Sequence, residues 1–281
     1  MNTKLMLSLL ALVAVPLILH AQKLPKIQEG GFHAPAYVKI DGQPVEWNKF
    51  QAYNTSTRTF YTIANDSDRL YLAIHVADYY TMQKLLQGGV TLSVLNNDKK
   101  LEQGAIAITF PFLSQAIAGG ALIRIKDTAT NMQERLVSIN NQLTTNATEI
   151  RVTGVSGITD TIISVYNEYG IKAAIAFDMN RELTYELSVP LKYLKERIDN
   201  SGRLKYNVKI NGIKRSLRIT MGDREIDPNS TEGRQLTAQL SDPNRQNIIG
   251  VIGSAGVTRA TGSFAELMNA TDFTGNYVLA K

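Results

Sequence analysis

The chain has 281 residues, a formal net charge of +5 and no cysteine. The missing thiol excludes disulfides, thiolate metal sites, a cysteine nucleophile and the lipid-bearing cysteine of bacterial lipoproteins. Residues 203–259 hold ten Lys/Arg against five Asp/Glu, but these are scattered and lack interleaved aromatics, so they read as a solvated face and not as a nucleic-acid surface.

The first predicted element is an export signal. Lys4 precedes a charge-free run from Leu5 to Leu19, and small Ala21 comes shortly after it. The run is interrupted by Pro16 and is shorter than the roughly 20 apolar residues that a spanning helix needs. Residues 1–21 are therefore expected to be a signal peptide cleaved near Ala21–Gln22, delivering a periplasmic or secreted protein with no transmembrane segment after cleavage. The roughly 260 residues left can bury a sizeable core without cross-links.

Period two dominates the mature chain. Thr59 to Ala64 is β-prone, Asn65–Asp68 is a turn signal, and Arg69 to Ala77 reads RLYLAIHVA. Leu70, Leu72, Ile74 and Val76 fall on one face, and Tyr71, Ala73 and His75 on the other. Val90 to Leu95 and Ala105 to Phe110 alternate similarly. Lys172–Asp178 and Thr184–Val189 form a second hairpin pattern, and Leu204–Ile210 shows the clearest alternation. Helices are expected over Thr81–Gln87, stopped by Gly88-Gly89, over Thr128–Leu143, and as one short helix over Leu191–Ile198. Residues 212–262 are polar and glycine-rich, with the signature of a long flexible insertion. The expected fold is all-β: a two-sheet antiparallel β-sandwich with a few short helices, residues 22–281 forming one domain.

Several short motifs carry a family resemblance. Ile40-Asp41-Gly42 followed by Glu46-Trp47, then Asn65-Asp66 before Leu70-Tyr71-Leu72, Val76 and Asp78, then Tyr185-Glu186-Leu187-Ser188-Val189-Pro190-Leu191, occur in the order seen in family 9 carbohydrate-binding modules. The closing segment from Asp272 to Lys281 resembles that of secreted bacterial proteins of this kind, in which an aromatic commonly sits where Thr274 is. The chain thus resembles a family 9 carbohydrate-binding-module-like (DOMON-like) β-sandwich over most of residues 36–211 and the final ten. The resemblance implies sugar binding through paired aromatics, often with structural calcium. Trp47, the sole tryptophan, belongs to the opening motif, where burial is its expected role, so no tryptophan pair is available to sandwich a sugar.

Tyrosine and phenylalanine can take that role. Tyr79 and Tyr80, just after a strand end, and Phe273 and Tyr277 near the C-terminus are the candidate ligand-binding rings, with packing at the open ends of the sandwich as the alternative. Asp66, Asp68 and Asp78 are the candidate calcium ligands, although turn chemistry also accounts for Asp and Asn there. His33 and His75 are the histidines that survive cleavage. A haem would use His75 with a methionine such as Met82 or Met221. No nucleophile elbow is present, and Glu46, Glu168 and Glu186 are the carboxylates a glycosidase could draw on. Glu186 alternates with Tyr185 and Leu187, which directs it to solvent. The sequence therefore reads as an exported non-catalytic binding protein recognising carbohydrate or another cell-envelope ligand. The alternative is a structural or protein-partner-binding envelope protein that has lost the sugar site.

Overall fold

The computed structural model describes residues 23–95, 104–127, 131–213, 219–221, 224–226, 230–232, 235 and 264–281. The expected signal peptide and most of the expected insertion at 212–262 lie outside these residues.

In chain order the strands are β1 (Ala52–Asn54), β2 (Thr59–Asn65), β3 (Arg69–Val76), β4 (Val90–Leu95), β5 (Ile106–Phe110), β6 (Glu149–Thr153), β7 (Ile162–Ser164), β8 (Lys172–Phe177), β9 (Leu183–Pro190), β10 (Arg203–Ile210), β11 (Ile219–Met221), β12 (Arg224–Ile226) and β13 (Thr271–Val278). They form a five-stranded sheet, β1-β2-β3-β9-β8, and a six-stranded sheet, β13-β10-β4-β5-β6-β7, with β11 and β12 paired separately. Every pairing among these strands is antiparallel. The fold is the expected all-β sandwich.

The alternation read from the sequence sets the register. Tyr61 lies opposite Ile74 and Ile63 opposite Leu72, while Leu187 and Tyr185 flank the same pair from β9. These side chains face inward and join Leu92 and Val94 of β4, Ile106 and Ile108 of β5 and Leu204, Tyr206 and Val208 of β10 in one buried core. Period two places all of them on the inner faces because successive side chains on a strand point to opposite sides.

Helices trim the edges: α1 (Tyr79–Gly88), α2 (Gln115–Lys126), α3 (Met132–Asn146) and α4 (Phe264–Met268). The Asp78 side chain caps α1 by accepting from the Thr81 backbone N–H. Helix α2 has no counterpart in the sequence reading, because Gly119 and Gly120 weaken its propensity. Tertiary burial of Ala118, Ala121, Leu122 and Ile125, spaced along one helical face, overrides that weakness. Helix α3 docks on β8 through Asn140, whose side chain donates to the Phe177 carbonyl and accepts from the Phe177 N–H, each at 2.9 Å. The expected helix over Leu191–Ile198 is two 3₁₀ turns, Leu191–Tyr193 and Lys195–Arg197. No helix among the described residues is long and apolar enough to cross a membrane.

The five-stranded sheet is covered on its outer face as well. The segment from Phe32 to Phe50 lies across it, and Phe32, Ala34, Val38, Ile40 and Phe50 pack around Trp47, Ala64, Tyr71 and Ala73. This strap is tied to β2 by an Ala34 N–H to Asn65 carbonyl bond of 2.9 Å and an Asn65 N–H to Phe32 carbonyl bond of 3.1 Å.

Candidate functional site

Glu186 does not face solvent: its side chain is fully buried beneath the strap. Its Oε2 accepts from the backbone N–H of Asp41 at 2.9 Å and of Gly42 at 2.8 Å, and its Oε1 accepts from the Trp47 indole N–H at 2.6 Å. Burial pushes the carboxyl up to about 7, and the three donors pull against that rise. Gly42 has φ +79°, and a Cβ there would lie 2.5 Å from the Ala176 N of β8. Glycine thus lets the strap reach the sheet. The opening motif and the late strand motif meet at this one carboxylate, which acts as a clasp. Trp47 is 2 % exposed, as its place in the motif leads one to expect. With both oxygens occupied beneath the strap, Glu186 is out of reach of a sugar.

The four candidate rings do not converge. Phe273 and Tyr277 are buried on β13. Phe273 packs against Tyr61, with ring centroids 4.6 Å apart. The Tyr277 hydroxyl lies 2.8 Å from Asn65 Oδ1 and accepts from the Phe32 N–H at 3.1 Å. These two rings serve the core, and their burial withdraws them from any surface platform. Tyr79 and Tyr80 open α1 and meet edge to face, with centroids 6.1 Å apart. Both are half-buried, and Lys126 Nζ sits 3.3 Å above the Tyr79 ring, covering one of its two faces.

The three candidate calcium ligands separate into two places. Asp66 and Asp68 lie before β3 and Asp78 beyond it, so the eight-residue strand holds them roughly 25 Å apart at about 3.3 Å per residue. They cannot share one ion. Asp66 is engaged in its own turn, its Oδ1 accepting from the Asp68 and Arg69 N–H groups and its Oδ2 from the Tyr71 hydroxyl. Burial opposes its ionisation, but these donors outweigh it and hold the carboxyl below its ordinary value.

Haem ligation by His75 and Met82 is also blocked. Met82 belongs to the core on the inner side of the five-stranded sheet, whereas His75 lies opposite Thr184 and Phe60 on the outer side, with the sheet between them. Met221 ends β11, and its side chain lies outside the described residues. What the fold does bring to His75 are two acidic residues from the β8–β9 turn, Asp178 and Glu182, with the ligand atoms of all three within 4.8 Å of one another. More than a hundred residues separate His75 from them, so no local spacing signals the cluster.

A cleft of about 310 Å³ lies at an end of the sandwich, lined by Ile106, Gly154, Ser156, Lys192, Tyr193, Glu196 and Arg197. It forms where the 3₁₀ turns after β9 meet the start of β5 and the loop after β6. Tyr193 is its one aromatic lining residue among the described residues. Lys192 Nζ lies 4.9 Å from that ring, and Arg197 Nε is buried with no hydrogen-bond partner among the described residues. Among the described residues, two cations against one carboxylate leave the lining net positive. A lone tyrosine in a short predicted helix gave no functional signal, because its neighbours in the cleft come from distant loops.

No family model matches the chain, and no curated protein or solved structure matches it.

Proposed function

We propose that this is an exported, non-catalytic binding protein that takes a carboxylate-bearing sugar in the cleft around Tyr193. The observation that carries the reading is the cleft's composition. The Tyr193 ring offers a flat apolar face, and Ser156, Lys192, Glu196 and Arg197 supply hydrogen-bonding groups around it. Sugars present a C–H face and a hydroxyl rim, which such a lining complements. Among the described lining residues Lys192 and Arg197 stand against the single Glu196, which favours an acidic sugar, since hydrogen bonds between a cationic side chain and a carboxylate are the strong ones. The ordered resemblance to family 9 carbohydrate-binding modules supports the same class of ligand, at a different surface from Tyr79, Tyr80, Phe273 and Tyr277.

Calorimetric titration with uronic-acid and matched neutral oligosaccharides tests this. Binding of the acidic series is expected, weakened about tenfold by Tyr193→Ala, a loss of about 1.4 kcal/mol, and weakened further by Arg197→Gln. Absence of binding across plant, algal and peptidoglycan sugars removes the proposal. It favours instead a structural or partner-binding envelope protein, the reading with which the buried Phe273 and Tyr277 and the Lys126-capped Tyr79 agree.

A further inference from the structure

We propose that His75, Asp178 and Glu182 form a binding site for zinc or a similar borderline divalent metal on the outer face of the five-stranded sheet. The site is separate from the Tyr193 cleft, and it does not depend on sugar binding.

Three features of the fold build it. Position 75 lies on the outward-facing register of β3, and the β8–β9 turn delivers two carboxylates to it. His75 Nε2 lies 2.7 Å from Glu182 Oε2, so the two atoms already point into one small volume. Asp178 commits Oδ1 to the backbone N–H groups of Asn180 and Glu182, each at 2.9 Å. Those bonds fix the turn through one oxygen and leave the second for an ion.

The surroundings of His75 follow the grammar of a metal-bound imidazole. Nδ1 sits 2.9 Å from Thr184 Oγ1. If Nδ1 carries the hydrogen and donates to that hydroxyl, the Nε2 lone pair is directed at the cluster, the second-sphere arrangement that orients histidine ligands. The Phe50 ring stacks on the imidazole at 5.3 Å and 14°, which holds the ring plane and shields one face. The His75 side chain is 12 % exposed and that of Glu182 is 32 % exposed, so the ligands are held by the protein yet open to an ion from solvent.

The donor set chooses the metal. One imidazole nitrogen and two carboxylate oxygens match the ligand types of zinc, at about 2.0–2.2 Å per bond, with a fourth position left for water. Calcium takes six to eight oxygens, and this site offers neither that number nor that uniformity. Without metal, the His75–Glu182 contact is a hydrogen bond of 2.7 Å. A metal ion takes the place of the hydrogen in that bond, and the displaced proton leaves to solvent.

The test is calorimetric titration of the untagged mature protein with zinc chloride, with calcium and magnesium chloride as comparisons. Expected are one zinc per chain in the micromolar range or tighter and binding of calcium at least about a hundredfold weaker. His75→Ala and Glu182→Gln are each expected to weaken zinc at least about tenfold, and His33→Ala to leave it unchanged. Circular dichroism checks folding, and Glu182→Gln carries the test if His75→Ala does not fold. Absence of zinc binding to the wild-type chain, or binding that survives Glu182→Gln intact, overturns the proposal and leaves a plain His–Glu pair. Neither result bears on sugar binding at Tyr193, which is titrated separately.

Discussion

The two sheets share one core but differ on their outer faces. On the five-stranded sheet, Tyr71, Ala73 and Glu186 point outward and are buried beneath the strap. On the six-stranded sheet the outward positions are Thr91, Ser93, Thr109, Lys205, Asn207, Lys209 and Thr274, paired across β5, β4, β10 and β13. Polar side chains there bond to one another, as Thr91 Oγ1 does with Thr109 Oγ1 at 2.8 Å and as the Asn207 amide does in donating to the Asp272 carboxylate at 2.6 Å. A sheet face that must be covered carries small and aromatic residues and one buried acceptor. A face that can satisfy itself laterally carries a polar ladder. The clasp on Glu186 is the element by which the strap recognises the first kind of face.

Removing the indole that spans strap and sheet is the most direct way to break this contrast. Trp47→Ala is expected to destabilise by about 3–5 kcal/mol, the range for deleting a buried large aromatic, because it opens a cavity against Tyr71 and frees one Glu186 oxygen. Chemical denaturation reads the loss, and hydrogen exchange is expected to rise first in residues 32–50. Gly42→Ala comes next. Its Cβ would meet the β8 backbone at 2.5 Å in a positive-φ position, so a loss of about 2 kcal/mol or more is expected, with the same strap amides exchanging faster.

Glu186→Gln sharpens the comparison further. The amide keeps one acceptor oxygen but turns a donor toward the Trp47 N–H or the two backbone N–H groups. The expected loss is about 1–3 kcal/mol, the penalty of an orphaned buried donor. The same residue gives a pH signature. Its carboxyl is raised in the folded state to about 7, so the fold holds this proton more tightly than the unfolded chain does. The contribution is fully present below the ordinary carboxyl value and is lost as pH rises through about 7. Stability is therefore expected to fall between about pH 5 and about pH 8, and the Glu186→Gln variant is expected to lack that component of the fall in a melting series. At the small end, Thr274→Ala on the polar face is expected to change stability by no more than about 0.5 kcal/mol, because Asn207 keeps its bonds to Asp272 and the Phe273 carbonyl.

Strand by strand, legibility followed the same division. The alternation of Leu204 to Ile210 reports a sheet with one core face and one polar face, and β10 has both. Arg69 to Val76 reads as the same alternation, yet its second face, with Tyr71 and Ala73, is buried as well, beneath the strap. Glu186 misled because alternation says only which face a residue shares, never what lies over that face. The proposed metal cluster and the cleft were illegible for a related reason. Each joins side chains from turns far apart in the chain, and the aspartates and tyrosines adjacent in sequence were held apart or buried by strand geometry.

Hydrophobic period and turn chemistry alone determined the all-β class, the β2–β3 and β8–β9 hairpins and the inner core positions, because these depend on neighbours within one or two strands. Tertiary structure alone decided that Asp41, Gly42 and Trp47 close on Glu186, that Asp178 and Glu182 reach His75, and that Tyr193 lines a cleft. Those contacts exist only after the sheets have paired, when strands distant in sequence lie about 5 Å apart.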